Sequence, residues 1–216
     1  GWAGPDMVLI SHLHHDHLDL ASLRLLGLDT PMVVPAGAGE LLRRGRFRNV
    51  TELSVGGVVN VGALAVTAVE ARHDGRRHPR GPRAETLGYV VDGRRTVYFA
   101  GDTELFEGIS GRLSQSGFDD APDRPPRLDV ALLPVAGWGP TLGAGHMDPL
   151  DAARAARAIE PRLAIPIHWG TLLPIGLARR HRSRLADPPR VFAEHVASLA
   201  PSVEVRILMP GEETML

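Results

Sequence analysis

The feature that most constrains this chain is a dense run of potential metal ligands that reads His-Leu-His-His-Asp-His. The run follows an apolar stretch, residues 7–10, that predicts a short buried strand. Side chains alternate along an extended backbone, so His12, His14 and Asp16 would share one side, and a turn after them would bring His17 into the same region. Four donors this close together favour two cations over one. The alternatives are a solvated polar loop and an expression tag, although a tag would not lie within an apolar sequence.

Composition restricts the chemistry further. The 216 residues include ten histidines and no cysteine, so any metal must be bound by imidazole and carboxylate groups. Hydrophobic residues make up 44% and charged residues 23%, and no apolar run approaches the ~20 residues of a membrane span. The net charge of -1 argues against a nucleic-acid partner. We expect a single domain over residues 1–216. A cytoplasmic location is expected because no secretory signal opens the chain, although a sequence that begins at Gly1 leaves open whether a leader was removed.

Predicted strands and helices alternate along the chain. Asp148-Pro149 is typical of a helix start, with an N-cap residue followed by proline. Residues 73–83 and 119–127 are predicted to be exposed loops because they are rich in charged residues, proline and glycine. The alternation predicts an α/β fold of layered sheets with helices outside. The predicted strands are 7–10, 32–34, 130–135, 163–167 and 203–208, with hairpins at 58–71 and at 87–91 with 96–100, and the predicted helices are 18–26, 39–46, 150–159 and 190–199.

The order HxHxDH after an apolar strand resembles the signature of the metallo-β-lactamase superfamily. Four further segments resemble the branch of that superfamily that contains ascorbate-6-phosphate lactonase and N-acylphosphatidylethanolamine phospholipase D. The resemblance implies an αββα sandwich. Members normally have several strands before the motif, so we expect a sheet that lacks its first amino-terminal strands, or a chain that is a fragment of a longer protein. The four segments are Ala-Arg-His at 71–73, Tyr-Phe-Ala-Gly-Asp-Thr at 98–103, Gly-His-Met-Asp-Pro at 145–149 and Pro-Ile-His-Trp-Gly-Thr at 166–171.

The resemblance also implies the remaining ligands, which are a histidine, an aspartate and a histidine, each just beyond a strand. His73, Asp102 and His168 match in order, and His78 is a rival to His73. Zinc is the expected metal, with manganese or iron as alternatives, and two such cations lower the pKa of a shared water. By the resemblance, one metal is held by His12, His14 and His73, the other by Asp16, His17 and His168, and Asp102 bridges the two.

Such a site hydrolyses esters, lactones or phosphodiesters, which predicts a dinuclear hydrolase of a small molecule, with a phosphorylated one among the candidates. The candidate catalytic residues are Asp16 and His146. His146 lies in a glycine-rich loop, where it would bind substrate, protonate a leaving group or only anchor the loop. Trp138, Trp169 and the loop 76–83 are candidates for lining the pocket. Two alternatives stay open, a nuclease and a non-catalytic, metal-stabilised binding or assembly domain, for which a homo-oligomer is expected.

Overall fold

The computed structural model of the protein describes residues 4–114, 128–137, 141–171, 173, 176 and 182–215. No helix in these ranges is both long enough and apolar enough to cross a lipid bilayer. The strands are β1 Val8–Leu9, β2 Met32–Pro35, β3 Val50–Leu53, β4 Val58–Val61, β5 Leu64–Glu70, β6 Leu87–Asp92, β7 Thr96–Phe99, β8 Val130–Pro134, β9 Leu163–Ile167 and β10 Glu204–Val205. The helices are α1 Leu20–Leu26, α2 Gly39–Arg44, α3 Ile109–Ser114, α4 Pro149–Ile159, α5 Arg182–Ala186 and α6 Pro188–Leu199.

The strands form two sheets. The small sheet has the order β1-β2-β3 and is parallel, whereas the large sheet has the order β10-β9-β8-β7-β6-β5-β4. In the large sheet the strands from β7 to β10 pair parallel with one another, and the strands from β4 to β7 pair antiparallel with one another. Since β5 and β7 both pair antiparallel with β6, they run in the same direction as β9. The carboxyl ends of β5, β7 and β9 therefore meet at one edge of the large sheet.

The two sheets pack face to face, with helices on their outer faces. Strand β2 shows why, because alternate side chains point to opposite sides. Val33 packs with Leu87 and Tyr89 of the large sheet, whereas Met32 and Val34 belong to the cluster that includes buried residues of α1 and α2. The outer face of the large sheet is covered by α3, α4 and α6. The predicted αββα sandwich is confirmed.

Helix α4 begins as the sequence predicts. The Asp148 carboxylate accepts a hydrogen bond from the Asp151 backbone N–H at 2.8 Å, and Pro149 is the first helical residue. The buried side of α4 consists of alanines, which allow close packing against α6, where Phe192 is fully buried. The Asp148 cap and the packing against α6 fix the start of α4. They therefore also fix the end of the loop that carries His146.

Several predicted elements differ from the structure. Strand β3 and helices α3 and α5 lie where the sequence predicts no element, and the loop predicted at 119–127 lies outside the described residues. The last strand, predicted over 203–208, is limited to Glu204–Val205. Its ladder with β9 ends where Arg206 N donates to Ala164 O. The next donor along β9 would be Pro166, which has no N–H, so the pairing stops there.

Candidate metal centre

The first four predicted ligands lie in the loop after β1. The turn is closed by backbone hydrogen bonds from His17 N and Leu18 N to His14 O, at 3.1 and 2.8 Å. Leu13 and Leu18, on either side of the turn, are fully buried in the core under α1 and α2. These two buried leucines hold the backbone in place, and the predicted ligands between them project towards the edge of the large sheet. The predicted turn that brings His17 towards His12 is present.

The other three predicted ligands follow β5, β7 and β9, at the shared edge of the large sheet. Asp102 is buried, as is its neighbour Thr103, whose hydroxyl accepts a hydrogen bond from Arg72 N at 2.9 Å. This bond joins the segments after β5 and β7, next to His73. His168 has φ of +61°, a left-handed conformation that costs a non-glycine residue roughly 1–2 kcal/mol. Strain of this kind is typical of functional positions, where it directs a side chain into a site.

The Asp102 carboxylate lies at the centre of the cluster. Its Oδ2 is 3.1 Å from His17 Nε2 and 3.3 Å from His168 Nε2. A second carboxylate, that of Asp16, places Oδ2 3.6 Å from His17 Nε2 and 3.5 Å from His168 Nε2. The Asp102 oxygen is also within 4.0 Å of three further Nε2 atoms, those of His12 at 3.9 Å, His73 at 4.0 Å and His146 at 3.6 Å.

The donor atoms of the described residues form four overlapping groups, and two of these contain the same residues as the two ligand sets that the resemblance implies. His12, His14 and His73 form one group, in which His73 Nε2 and His14 Nδ1 are 3.0 Å apart. The donor atoms of each group lie within 4.8 Å of one another, and Asp102 groups with His12 and His17. All seven predicted ligands are thus brought together, and their assignment to metals stays a prediction. The second predicted group is Asp16, His17 and His168.

The hydrogen bonding of these side chains fits metal ions. Buried Nε2 atoms of His12, His17 and His168, and Oδ1 of Asp102, make no hydrogen bond within the described residues. Unpaired buried polar atoms are costly, so such a convergence of them calls for a ligand. His73 Nδ1 and His168 Nδ1 each lie 2.8 Å from a carbonyl oxygen, of Gly145 and Ala136 respectively. A carbonyl only accepts, so Nδ1 carries a proton in both rings, and each ring, when neutral, presents its Nε2 lone pair to the cluster.

Burial also keeps several of these imidazoles neutral. It lowers the pKa of His12 to about 2 and that of His73 to about 4, and it lowers the pKa of His14 in the same direction. Neutral imidazole is the form that binds a metal ion, so protons do not compete at these three positions near neutral pH. His168 differs, because contact with Asp16 and the charge of Asp102 outweigh burial and raise its pKa.

Both carboxylates are ionised near neutral pH. Burial alone would raise the pKa of Asp102, but contacts with His146 and His17 and the charge of His168 outweigh it and hold the pKa well below its usual range. Burial likewise opposes ionisation of Asp16, but the imidazoles of His168 and His17 lower its pKa to about 2. The cluster therefore presents two negative charges beside the neutral imidazoles of His12, His14 and His73, a charge pattern that divalent cations neutralise.

His146 lies within the cluster although it was not one of the seven predicted ligands. Its Nε2 is 3.6 Å from Asp102 Oδ2, and its ring centroid is 4.6 Å from that of His73. The preceding Gly145 has φ of +75°, and a Cβ atom there would lie 2.8 Å from His73 Nδ1. Only glycine lets this loop approach His73 so closely. Two glycines just before a histidine, Gly143 and Gly145, are the sequence signal that pointed to this position.

The remaining candidate positions have different outcomes. His78, the rival to His73, is exposed and lies in none of the candidate metal groups of the described residues. Trp169 packs against the main core, and its Nε1 donates to Pro166 O at 3.1 Å, but it also lines an apolar cavity beside His168. Trp138 lies outside the described residues. In the loop 76–83, the Arg77 side chain reaches the first ligand loop rather than open solvent.

Comparison with known proteins identifies the family of this chain. The family model described as "Beta-lactamase superfamily domain" matches residues 2–169. A UPF0173 metal-dependent hydrolase of Methanopyrus kandleri is 35% identical over 219 residues, covering 96% of this chain and 81% of the relative. A second, of Thermoplasma acidophilum, is 31% identical over 211 residues, covering 97% and 79%.

The solved structures agree with this placement. Igni18, described as a novel metallo hydrolase from the archaeon Ignicoccus hospitalis, superposes with a TM-score of 0.70 at 25% identity, covering 96% of this chain and 77% of that one. The match extends over both sheets, since nearly the whole chain is covered. The chain therefore belongs to the beta-lactamase superfamily, in its metallo-β-lactamase fold, alongside the UPF0173 metal-dependent hydrolases.

Proposed function

We propose that the protein is a dinuclear metal-dependent hydrolase that cleaves a lactone, a phosphodiester or a related ester of a small molecule. The observation that carries the proposal is the Asp102 carboxylate, which lies within 4.0 Å of five imidazole Nε2 atoms. Three of those nitrogens are buried without a hydrogen bond. The relatives named as metal-dependent hydrolases support the same chemistry.

In this proposal the ligands are divided as the resemblance to the superfamily implies. His12, His14 and His73 would hold one cation, Asp16, His17 and His168 would hold the other, and Asp102 would serve both. Zinc is the expected metal, with manganese or iron as alternatives, because imidazole and carboxylate donors suit all three. When bound, the pair of cations supplies Lewis acidity and a water of lowered pKa near neutral pH.

The protein's own residues then orient the reaction. The carbonyl groups of Gly145 and Ala136 fix the rings of His73 and His168 from behind, so those rings need no reorganisation during the reaction. His146 takes the role of proton donor to the leaving group. Its side chain is 12% exposed, so unlike buried His12 it faces both the cluster and an arriving substrate. Its Nδ1 is held by Ala144 O at 3.1 Å, and its Nε2 faces the cluster, 3.6 Å from Asp102 Oδ2.

Metal analysis coupled to a hydrolase panel tests the proposal. The purified protein should bind two equivalents of zinc or manganese and cleave a member of a panel of lactones, phosphodiesters and phospholipids. Asp102→Asn keeps the side-chain shape but removes the central charge. We expect it to lose metal and more than ~100-fold in rate, since changing even an outer residue of a metal site costs about 10–100-fold. His78→Ala, in an exposed position, is the matched control.

The role of His146 has a separate test. His146→Asn should slow hydrolysis by about 10²–10⁴-fold for substrates with a poor leaving group, the range for general acid catalysis. The loss should be much smaller for nitrophenyl esters, whose leaving group needs no proton. Equal losses for both kinds of substrate would assign His146 to binding instead. A protein that binds no metal would refute the proposal as a whole, whereas metal binding without turnover of any panel member would favour a metal-stabilised binding domain.

A further inference from the structure

The first ligand loop is a short turn whose backbone must be held from outside. Residues 14–17 carry three of the predicted ligands, and two backbone hydrogen bonds to His14 O close the turn. The carbonyl groups of Leu13 and Leu18 lie on either side of the turn. Their side chains are fully buried, so the flanking backbone has little access to solvent. The position of the turn therefore depends on what pairs with these two carbonyl groups.

One side chain pairs with both of them. Arg77 Nη1 donates to Leu13 O at 2.9 Å and to Leu18 O at 3.0 Å. Its other terminal nitrogen, Nη2, lies 3.0 Å from His15 Nδ1, a residue within the turn itself. A single guanidinium group thus contacts the ligand loop before, within and after the turn. None of these three contacts is with a predicted ligand.

Arg77 belongs to the loop that begins at another predicted ligand, His73. This loop is closed like a hairpin, because Ala84 N donates to Gly75 O at 3.0 Å and Arg77 N to Pro82 O at 3.0 Å. An isolated bridge joins Arg76 to Arg83. The closed loop fixes the backbone of Arg77, and this backbone directs the side chain at the turn. The two ligand segments are therefore joined at a point outside the metal cluster.

We propose that Arg77 is a positioning residue that sets the geometry of the metal centre by holding the first ligand loop against the loop of His73. The inference rests on the metal-binding part of the proposed function. Arginine suits the task because its planar group presents several donors in a fixed arrangement, whereas a lysine ammonium is a single flexible point. Arg77→Lys is therefore expected to keep the charge but lose the geometry.

Zinc affinity, measured without substrate by competition with a chromogenic chelator, tests the inference. We expect Arg77→Ala to weaken zinc binding about 10–100-fold, as is usual when an outer partner of a metal site is removed. Arg77→Lys should recover less than half of that loss on a logarithmic scale. The cobalt-substituted variants should show an altered visible absorption spectrum, which reports ligand geometry and would not respond to a change in stability alone. Arg80→Ala, an exposed position in the same loop, is the control and should match the wild type.

The outcomes separate this inference from the proposed function. If the wild-type protein binds no metal, the proposed function fails. If the wild type binds zinc and Arg77→Ala binds it equally well with an unchanged cobalt spectrum, only the role of Arg77 is refuted, even where thermal stability falls. Should Arg77→Ala not fold, Arg77→Met, which keeps the length of the side chain, and Arg77→Lys are read in the same way. Wild-type affinity and spectrum in those two variants would refute the inference.

Discussion

The metal-free protein should become less stable as the pH falls below neutrality, because buried histidines must be neutral in the folded chain. His12 is fully buried, and burial lowers its pKa from 6.5 to about 2. His73 is lowered to about 4 for the same reason. In the unfolded chain both return to values near 6.5. Between pH 6.5 and their folded pKa values, the unfolded state therefore binds more protons than the folded state.

The sign and size of the effect follow from proton linkage. Stability rises with pH wherever the unfolded state binds more protons, so these groups stabilise the fold above pH 6.5 and lose that contribution as the pH falls. Between pH 7.5 and 5.5 each of the two histidines should reduce the free energy of unfolding by about 1.3 kcal/mol, or about 2.6 kcal/mol together. His168 acts in the opposite direction, since its raised pKa gives a contribution that is present at low pH and lost on the alkaline side. His14, whose pKa burial also lowers, adds to the loss, so the net change is set by the balance between His14 and His168 around the sum of the two.

Comparison with His12→Asn isolates one contribution. Because His12 is neutral in the folded protein across this pH range, asparagine leaves the charge of the cluster unchanged. Urea unfolding of chelator-treated protein at pH 7.5 and 5.5 should show a pH response that is smaller by about 1.3 kcal/mol in His12→Asn than in the wild type. His78→Asn, which changes an exposed histidine, should keep the wild-type response. Equal responses of wild type and His12→Asn would refute the reasoning, as would a wild-type protein that gains stability on acidification.

Two further substitutions test the loop geometry and the core. Gly145→Ala would place Cβ 2.8 Å from His73 Nδ1 and should weaken zinc binding about 10–100-fold in a chelator competition, whereas Gly143→Ala has a similar φ of +77° but no atom closer than 3.6 Å and should bind normally. Equal zinc affinity in the two variants would contradict this account of the loop. Phe192→Ala empties a fully buried position in the main core and should cost about 3–5 kcal/mol in urea unfolding, and a loss below about 1 kcal/mol would show that the large sheet does not depend on α6.

Elements with local signals were predictable from the sequence. The helix that starts at Pro149 has a capping aspartate, an N1 proline and an alanine-rich face, and β9 is an apolar run of five residues. Strand β3 was missed because its central residues are exposed, and its place depends on tertiary contacts. There the Glu52 carboxylate accepts hydrogen bonds from Gly37 N and Gly39 N at 2.9 and 3.0 Å, which no local pattern reveals.

The cluster was predictable in membership but not in arrangement. His12 to His17 form a local motif, while His73, Asp102 and His168 were found by family resemblance and by their position after strands. The distances around Asp102 depend on β5, β7 and β9 ending at one edge, which is a property of sheet topology. The close approach of His146 depends on a left-handed glycine at 145, so the sequence indicated the loop without fixing the contact.

The ligands come from two different sheets, so the geometry of the centre depends on how firmly those sheets are joined beside it. The small sheet supplies the loop after β1, and the large sheet supplies the rest. Tyr89 Oη donates to Ile10 O at 2.8 Å, and Leu87 N donates to Ser11 O at 2.9 Å, which fix the end of β1 to β6. Beyond that point the loop leaves β6, and the guanidinium of Arg77 supplies the next link. The sequence placed Arg77 among four arginines of an exposed loop. What distinguishes Arg77 is its place in the closed hairpin, from which its side chain reaches Leu13 O and Leu18 O. That place depends on the folded backbone of the loop and not on its neighbours in sequence.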